Sequence, residues 1–496
     1  MTERASFSAA PADLPSVRAA FSKLAEAGYS ESLAAQRLGL EDLADLQWRP
    51  VPIYRAERLA RRDRLDLAID LFLLQGALCR DELASLFSDR ECRALVDAGV
   101  LAVDETGAAR ARAGLFPVGH RLIFSDHAWP ELPHPGYSEV PSDQVMWIGM
   151  DSRHLARCTS RRPFGSALDL CTGSGIHALL ASTHAGKAVA VDINPRAVRC
   201  ARFNAEVWGS GNLEVVTGDL YEPVGEERFD LITANPPFVP SPLNTLGFRD
   251  GGRSGEDILS RIVAGLPDHL AAGGITQIIT ELGERDGEPL AARLRQWLNL
   301  TAPDQPMNIH ILRLGEHTAM KYALGHAKGD DYQTFLDSVE EWSANLRAQG
   351  YARVVSVVIS FEWSDGDAWE REDRSPPPRR PAGAEIDAAF LAERMARHPD
   401  CREVLRTSRV CRVGPIALLD AKVLGSGIDA KTRATLLGQA LTMEHHLSPL
   451  EREILERLEG SVGMPDLIGS LGMGEGAVIE AAASLLRRRL IRIEPG

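Results

Sequence analysis

The sequence predicts an α/β fold: a doubly wound, mostly parallel sheet of seven strands, with helical, winged-helix-like units at both ends of the chain. Three observations carry that expectation. From about Ser166 to Ser360, seven short apolar runs alternate with helix-length amphipathic segments, the pattern of β–α units on a parallel sheet. The first run, SALDL, passes straight into a glycine turn and a helix. Outside that span the pattern changes to short helices closed by a short strand, first near the N-terminus and again near the C-terminus.

Taken in order, residues 15–112 read as helical. LDLAIDLFLLQGALCRDELASLF (65–87) spaces its apolar residues helically with a break near Gly76, and SDRECRALVDAGVLAVD runs from a helix into a strand. Helix, turn, two helices and strand give the winged-helix expectation for residues 1–140. An α/β domain is expected over 141–368, with strands at SALDL, KAVAVDI, LEVVTGDL, FDLITANPP, ITQIITEL, MNIHILRLG and VVSVVISFEW. Residues 369–384 read as a linker, because SPPPRRPAG sets Pro376, Pro377 and Pro378 in a row and neither a helix nor a sheet interior accepts them. The C-terminal domain, 385–496, ends by repeating the first pattern in LSPLEREILERLEG, MPDLIGSLGM, EGAVIEAAASLLRRR and LIRIE.

Composition narrows the function. The 496 residues are 44% hydrophobic and 25% charged, enough to bury several cores. The formal net charge is −14 and no long segment is basic overall, which disfavours binding to a phosphate backbone. Seven scattered cysteines without a CxxC pair fit a reducing compartment and argue against a zinc ribbon or disulfide scaffold. The N-terminus lacks the apolar core of a signal peptide, and no stretch approaches the roughly 18 uncharged apolar residues that span a bilayer. A cytoplasmic protein with no membrane partner is expected.

The chemistry concentrates at the ends of the first four strands. SALDL is followed by CTGSGIHALLAS, so Gly173 and Gly175 sit at a strand-to-helix turn. Glycine there lets the backbone approach a ligand, and the helix N-terminus offers free N–H groups. Turns also need glycine for structural reasons alone, so this pair decides nothing by itself. The second strand ends at Asp192, where an acid is placed to accept hydrogen bonds from ribose hydroxyls. The third ends in TGDL, with Asp219 placed to accept from an adenine amino group. Together these features favour an adenosine-containing cofactor. The fourth strand runs into Asn235-Pro236-Pro237-Phe238. A Pro-Pro step fixes φ twice and removes two donors, leaving carbonyls that only accept, a set suited to gripping the N–H groups of an amide or exocyclic amine.

DLCTGSG (169–175), VAVDINPRAVRCARFNA (189–205), GDL (218–220) and ANPPF (234–238) resemble class I S-adenosylmethionine-dependent methyltransferases of the NPPF/Y branch. The likeness is greatest to the release-factor glutamine N5-methyltransferases and the small-domain ribosomal RNA guanine N2-methyltransferases. FRDGGRSGED (248–257) is similar to the glycine-rich segment that follows NPPF in the glutamine enzymes. The resemblance covers roughly residues 145–360, and Cys171 departs from it at the first glycine position of the pattern.

The resemblance implies a Rossmann-like sheet and S-adenosylmethionine as cofactor. By it, Asp169 and the backbone from Gly173 to Gly175 hold the methionine moiety, Asp192 the ribose and Asp219 the adenine edge. Thr172, Ile193, Leu220 and Asn235 complete the cofactor set. The catalytic set is Asn235, Pro236, Pro237 and Phe238: the Asn235 oxygen and the Pro236 carbonyl accept the two hydrogens of a planar NH₂, and Phe238 stacks on the flat group. No metal is implied. The favoured acceptor is a Gln/Asn-type amide of a protein or peptide, because the acidic balance disfavours RNA. The runner-up is a base amine of ribosomal or transfer RNA, followed by tailoring of a small molecule or natural product. A winged-helix DNA-binding regulator that senses S-adenosylmethionine is the non-enzymatic rival. The intact NPPF disfavours it, since a sensor needs the cofactor residues but not the amine acceptors, and DNA is not expected as a partner.

Other polar clusters have structural readings. Asp250, Glu256 and Asp257 are expected in a loop and the first turn of the next helix, where acids complement the dipole. His310, His317 and His326, like adjacent His445 and His446, have no metal-ligand spacing. Arg487, Arg488 and Arg489 are expected to cap a helix C-terminus or meet the protein's own groups. Arg58, Arg61, Arg62 and Arg64, interspersed with acids, read as a solvated face.

Overall fold

The computed structural model describes residues 11–47, 50–119, 121–127, 141–243, 245–299, 306–364, 366–421 and 431–494. Its central sheet contains β1 (Phe164–Leu170), β2 (Ala185–Asp192), β3 (Leu213–Thr217), β4 (Phe229–Ala234), β5 (Leu270–Glu284), β6 (Met307–Thr318), β7 (Arg353–Trp363) and β8 (Glu370–Arg374). Their order across the sheet is β8-β6-β7-β5-β4-β1-β2-β3. Strands β1 to β5 pair in parallel, and β5 pairs with β7 antiparallel. Each of the seven apolar runs is a strand.

The eighth strand corrects the expectation of seven. EREDR, in the stretch expected as linker, is β8, and its side chains alternate between exposed and half-buried. A terminal strand has a neighbour on one side only, so it tolerates a run of charges that a central strand would not. The prolines that suggested a linker begin two residues later, at Pro376.

Chain order reverses at β1, which has β2 on one side and β4 on the other. Such a switch opens a crevice beyond the C-terminal strand ends. Beneath it the core is continuous: Leu168, Leu170, Val189, Val191, Phe229 and Ile232 from the strands meet Leu259, Ile262, Val263 and Leu266 of the helix Asp257–His269. The helices around the site are α1 (Met150–Cys158), α2 (Ile176–Ala181), α3 (Pro195–Trp208), α4 (Asp257–His269), α5 (Leu290–Asn299), α6 (Ala319–His326) and α7 (Tyr332–Ala348). Helix α3 has local signals at both ends. The Asn194 side chain accepts from the Arg196 N–H, Pro195 takes the first turn, and Gly209 closes the helix at φ 65°.

By compactness the chain forms two units. One comprises Met1–Ala156, Pro163–Ile311 and Glu316–Arg371; the other Arg157–Arg162, Leu312–Gly315 and Glu372–Gly496. In the first unit, helices Arg80–Leu86 and Asp89–Asp97 stand beside a three-stranded sheet ordered Ala77–Leu78, Ala109–Ala111, Leu101–Val103, and a hairpin of Gly114–Val118 and Arg121–Ser125 follows. These elements share a core with α2 and α3. The Phe124 ring lies 5.1 Å from Phe21 and 5.2 Å from Phe203, among buried Leu179, Cys200 and Val207. Arg62, expected on a solvated face, pairs with Asp70 and Glu82.

The second unit has its own core of Leu405, Val410, Ile454, Met464, Val478 and Leu485. Its basic run is occupied within the unit: Arg487 faces Glu393, Arg488 donates to the His446 carbonyl, and Arg489 donates to the Glu385 carbonyl. No helix among the described residues is long and apolar enough to cross a membrane.

Candidate active site

The crevice at the switch point is a cleft of about 590 Å³, within the range of small-molecule sites. Of the residues singled out from the sequence, Thr172, Gly173, Asp192, Ile193, Asp219, Leu220, Asn235 and Pro237 line it. Asp169, Gly175, Pro236 and Phe238 are not on its wall.

The floor is the turn after β1. Gly173 has φ 55°, and a Cβ there would meet nothing within 4 Å, so the backbone lies bare to open space. Its N–H donates to Asp192 Oδ2 at 2.8 Å, while Asp192 Oδ1 accepts from the Asn194 N–H at 2.9 Å. Burial pushes the Asp192 carboxyl above the usual range, and those two backbone bonds oppose the rise. Gly175 serves packing instead: at φ 82°, its Cβ would fall 2.9 Å from that of Ala201 on α3. Cys171 adopts φ 54°, so the loop keeps the left-handed backbone although a cysteine stands where the pattern has glycine.

Asp169 is a correction. It is 1% exposed and lies behind the floor, not on it. Its Oδ2 accepts from Thr172 Oγ1 at 2.5 Å and the Ala178 N–H at 3.2 Å, and its Oδ1 accepts from Thr233 Oγ1 at 2.7 Å. One carboxyl thus fastens the turn, α2 and β4 together. Burial pushes it up to about 7 against those three donors.

At the far end, Asp219 Oδ2 accepts from Arg261 Nη2 of α4 at 2.8 Å, and both residues line the cleft. Ile193, Leu220 and Ile258 form apolar walls there. At the near end, Asn235 Nδ2 donates to Ser152 Oγ of α1 at 3.3 Å. That bond orients the amide and leaves Oδ1 without a chain donor among the described residues.

Phe238 is the second correction. It is 7% exposed and packs inward with Tyr322, Trp342 and Val354, so it presents no ring face to the cleft. Pro236 is likewise buried. The acids that follow take structural places. Asp250 Oδ2 accepts from the N–H groups of Thr245 and Leu246, and Glu256 stands at the N-cap position of α4 with its side chain paired to Arg293. His326 stacks on Tyr322 at 4.2 Å, and its burial lowers it to about 4.

Sequence reasoning missed Ser152, Phe248, Arg261 and the segment 142–148, of which Gln144, Val145, Met146 and Ile148 line the cleft. That segment precedes the first strand and carries no motif. Its only signal is the apolar run Val145-Met146-Trp147-Ile148 that follows the polar Ser142-Asp143-Gln144.

The donor set fits an adenosine cofactor with a sulfonium amino acid. Two strand-end carboxylates stand for hydroxyl and amino hydrogens, apolar walls for the base, and a bare glycine floor for the chain, in an acidic surround that suits a cationic sulfur.

Comparison with known proteins agrees. The family model described as Methyltransferase small domain matches residues 148–297. Over 195 residues the chain is 34% identical to a putative protein N5-glutamine methyltransferase of Methanocaldococcus jannaschii, an overlap of 36% of this chain and 94% of that protein. It is 39% identical over 130 residues to a ribosomal protein uL3 glutamine methyltransferase of Bradyrhizobium diazoefficiens, covering 23% of this chain and 40% of the relative. With a release factor glutamine methyltransferase of Geobacter sulfurreducens the identity is 34% over 140 residues, 25% of this chain and 49% of the relative. The chain therefore spans less than half of the last two.

Proposed function

The chain belongs to the S-adenosylmethionine-dependent methyltransferases built on the methyltransferase small domain, and on that premise we propose that it methylates a planar side-chain nitrogen, the amide of a glutamine or asparagine in a protein or peptide. The observation that carries this reading is the state of Asn235. Its Nδ2 is engaged by Ser152, which fixes Oδ1 as an acceptor at the end of the cleft. Nothing in a cofactor-binding role requires an amide held that way round.

S-adenosylmethionine, held by Asp192, Asp219 and the Gly173 floor, would supply an electrophilic methyl on a sulfonium leaving group: the acceptor nitrogen would bond to that methyl as the C–S bond breaks, with S-adenosylhomocysteine leaving, and would give one proton to solvent. The chain's residues supply position and polarity. Asp192, with two of its acceptor sites already taken by backbone N–H groups, offers the remainder to the ribose. Asp219, steadied by Arg261, offers its other oxygen to the adenine amino group. Asp169 acts from behind the floor as a positioning residue for Thr172 and α2. Asn235 Oδ1, on the cleft wall, takes a hydrogen of the substrate NH₂, whereas Pro236, the second acceptor that the resemblance implies, is buried off that wall. Drawing that hydrogen toward an acceptor weakens amide conjugation and frees the nitrogen lone pair, so no metal or strong base is needed. The relatives named for protein glutamine support the substrate class. The element order of residues 64–111 supports a winged-helix-like reading of the N-terminal flank, and the elements of residues 449–494 a similar reading of the C-terminal one.

The test uses purified protein, methyl-tritiated S-adenosylmethionine and fractionated cell extract, scoring label in protein, RNA and small-molecule pools. The wild-type chain labels protein. Asn235→Ala labels it at least about 100-fold more slowly, as expected for a donor-acceptor contact made to the reacting group, while binding S-adenosylmethionine as tightly as the wild type in calorimetry. Normal transfer by Asn235→Ala would refute the assignment of the motif.

A further inference from the structure

A planar acceptor held by Asn235 needs a flat surface to lie against, and the motif's own ring is turned into the core. A second aromatic stands in its place. Phe248 lines the same cleft as Asn235, Pro237 and Ser152 and is half-buried. Trp147, from the segment before α1, meets it edge-on, with ring centroids 6.2 Å apart and planes at 63°. Gly149 leaves room for that indole, since a Cβ there would lie 3.3 Å from Trp147 Nε1. We propose that Phe248, backed by Trp147, is the aromatic wall of the acceptor site, against which the planar amide of a protein substrate lies. The proposal rests on the reading of this cleft as a methyltransferase acceptor site and adds the residue that sets its preference for flat groups.

The backbone explains why this ring is held in register with Asn235. Pro236 and Pro237 have no N–H, so the next backbone donors after Asn235 are those of Phe238 and Val239. Both go to one acceptor, the Arg249 carbonyl, at 3.1 and 2.9 Å. The Gly251 N–H returns a bond to the Val239 carbonyl at 3.0 Å. The motif is thereby zipped to the residue next to Phe248.

The loop that carries the ring is closed on itself. Asp250 Oδ2 accepts from Thr245 and Leu246 at 2.8 and 3.0 Å, and the Leu246 carbonyl accepts from the Arg249 and Asp250 N–H groups. Arg249 Nε donates to Asp250 Oδ1 at 2.7 Å, and its guanidinium lies 5.7 Å from the Trp342 ring. Phe238 and Trp342 share one small core with Val239, so the buried ring of the motif anchors the loop that presents the half-buried one to the cleft. An amide stacks on an aromatic face through its own π-system, and a ring fixed on both sides loses little freedom when it does so.

The experiment measures initial rates of methyl transfer into the protein pool over a dilution series of that pool, for the wild type and for Phe248→Tyr, Phe248→Leu, Phe248→Ala and Asn235→Ala. S-adenosylmethionine affinity and melting temperature are measured on each. Phe248→Leu and Phe248→Ala are expected to lose about tenfold in rate at limiting protein pool, the scale of one aromatic contact. Most of the loss falls in the apparent KM for the pool, with cofactor affinity and melting unchanged. Phe248→Tyr is expected to stay within about twofold of the wild type, because the ring face is kept. Wild-type rates for Phe248→Leu together with a dead Asn235→Ala overturn the aromatic wall and leave the reaction standing. Full activity of Asn235→Ala, or no label in protein from the wild type, overturns the reading of the site and this inference with it.

Discussion

Asp169 illustrates how a single side chain can be chosen for what it holds and still cost stability. It is surrounded by three donors from Thr172, Ala178 and Thr233, yet burial raises it from 3.8 to about 7. In the unfolded chain it releases its proton near the ordinary value. The folded state therefore binds the extra proton between about pH 4 and pH 7, and stability from this group is complete below pH 4 and lost as pH rises through 7. Asp169→Asn keeps the shape and removes the titration. Chemical denaturation across pH 4 to 8 should show the wild type losing more stability than the variant over that window, by at most about 1.4 kcal/mol per pH unit. Superimposable pH curves would show that Asp169 stays ionised when folded.

The same residue marks the limit of motif reading. Asp192, Asp219 and Asn235 were legible because strand ends point their functional groups at one crevice. Asp169 and Phe238 belong to the same motifs but face inward, and spacing names a residue without saying which way it faces. The ring that does face the cleft, Phe248, sits in a loop whose shape comes from Asp250, a tertiary fact that no periodicity carries.

Among the elements, the joint between α3 and the floor of the cleft depends on Asn204, which is fully buried. Its Nδ2 donates to the Ser174 carbonyl at the start of α2 and to the Phe124 carbonyl, both at 2.8 Å, and its Oδ1 accepts from the Phe124 N–H at 2.9 Å. One amide thus satisfies a helix start and a hairpin strand. Asn204→Leu, close in size but apolar, would leave the Phe124 N–H and the Ser174 carbonyl buried without partners. The expected loss is about 3 kcal/mol, seen as a lower melting temperature and accompanied by weaker S-adenosylmethionine binding as the floor loosens. A variant that melts with the wild type would mean that water takes over these bonds. At this scale the sequence was most legible where period and turn signals agreed. All seven apolar runs became strands, whereas β8 was hidden because edge strands are allowed the composition of a loop.

At the scale of the whole molecule, residues of the N-terminal third pack onto the helices that flank the catalytic sheet. Arg18 donates to the carbonyls of Val207 and Glu206 at the end of α3, and the Trp208 indole donates to the Leu122 carbonyl. Asp126 and Arg196 form a buried two-pronged ion pair, and the second oxygen of Asp126 also receives the Val145 N–H from the segment that lines the cleft. Removing one partner of such a pair costs about 3–5 kcal/mol. Removing residues 1–140 would do that, and would also bare Leu179, Cys200, Phe203 and Val207 to water. A fragment comprising residues 141–496 is therefore expected to bind a hydrophobic dye, to melt without a cooperative transition for the sheet, and to bind S-adenosylmethionine far more weakly than the full chain. Cooperative melting with full cofactor affinity would instead show that α3 and the cleft segment hold without their N-terminal partners. Helix periodicity in residues 15–112 revealed an apolar face there but not its partner, because a face that buries against its own neighbours and one that buries against α3 have the same spacing.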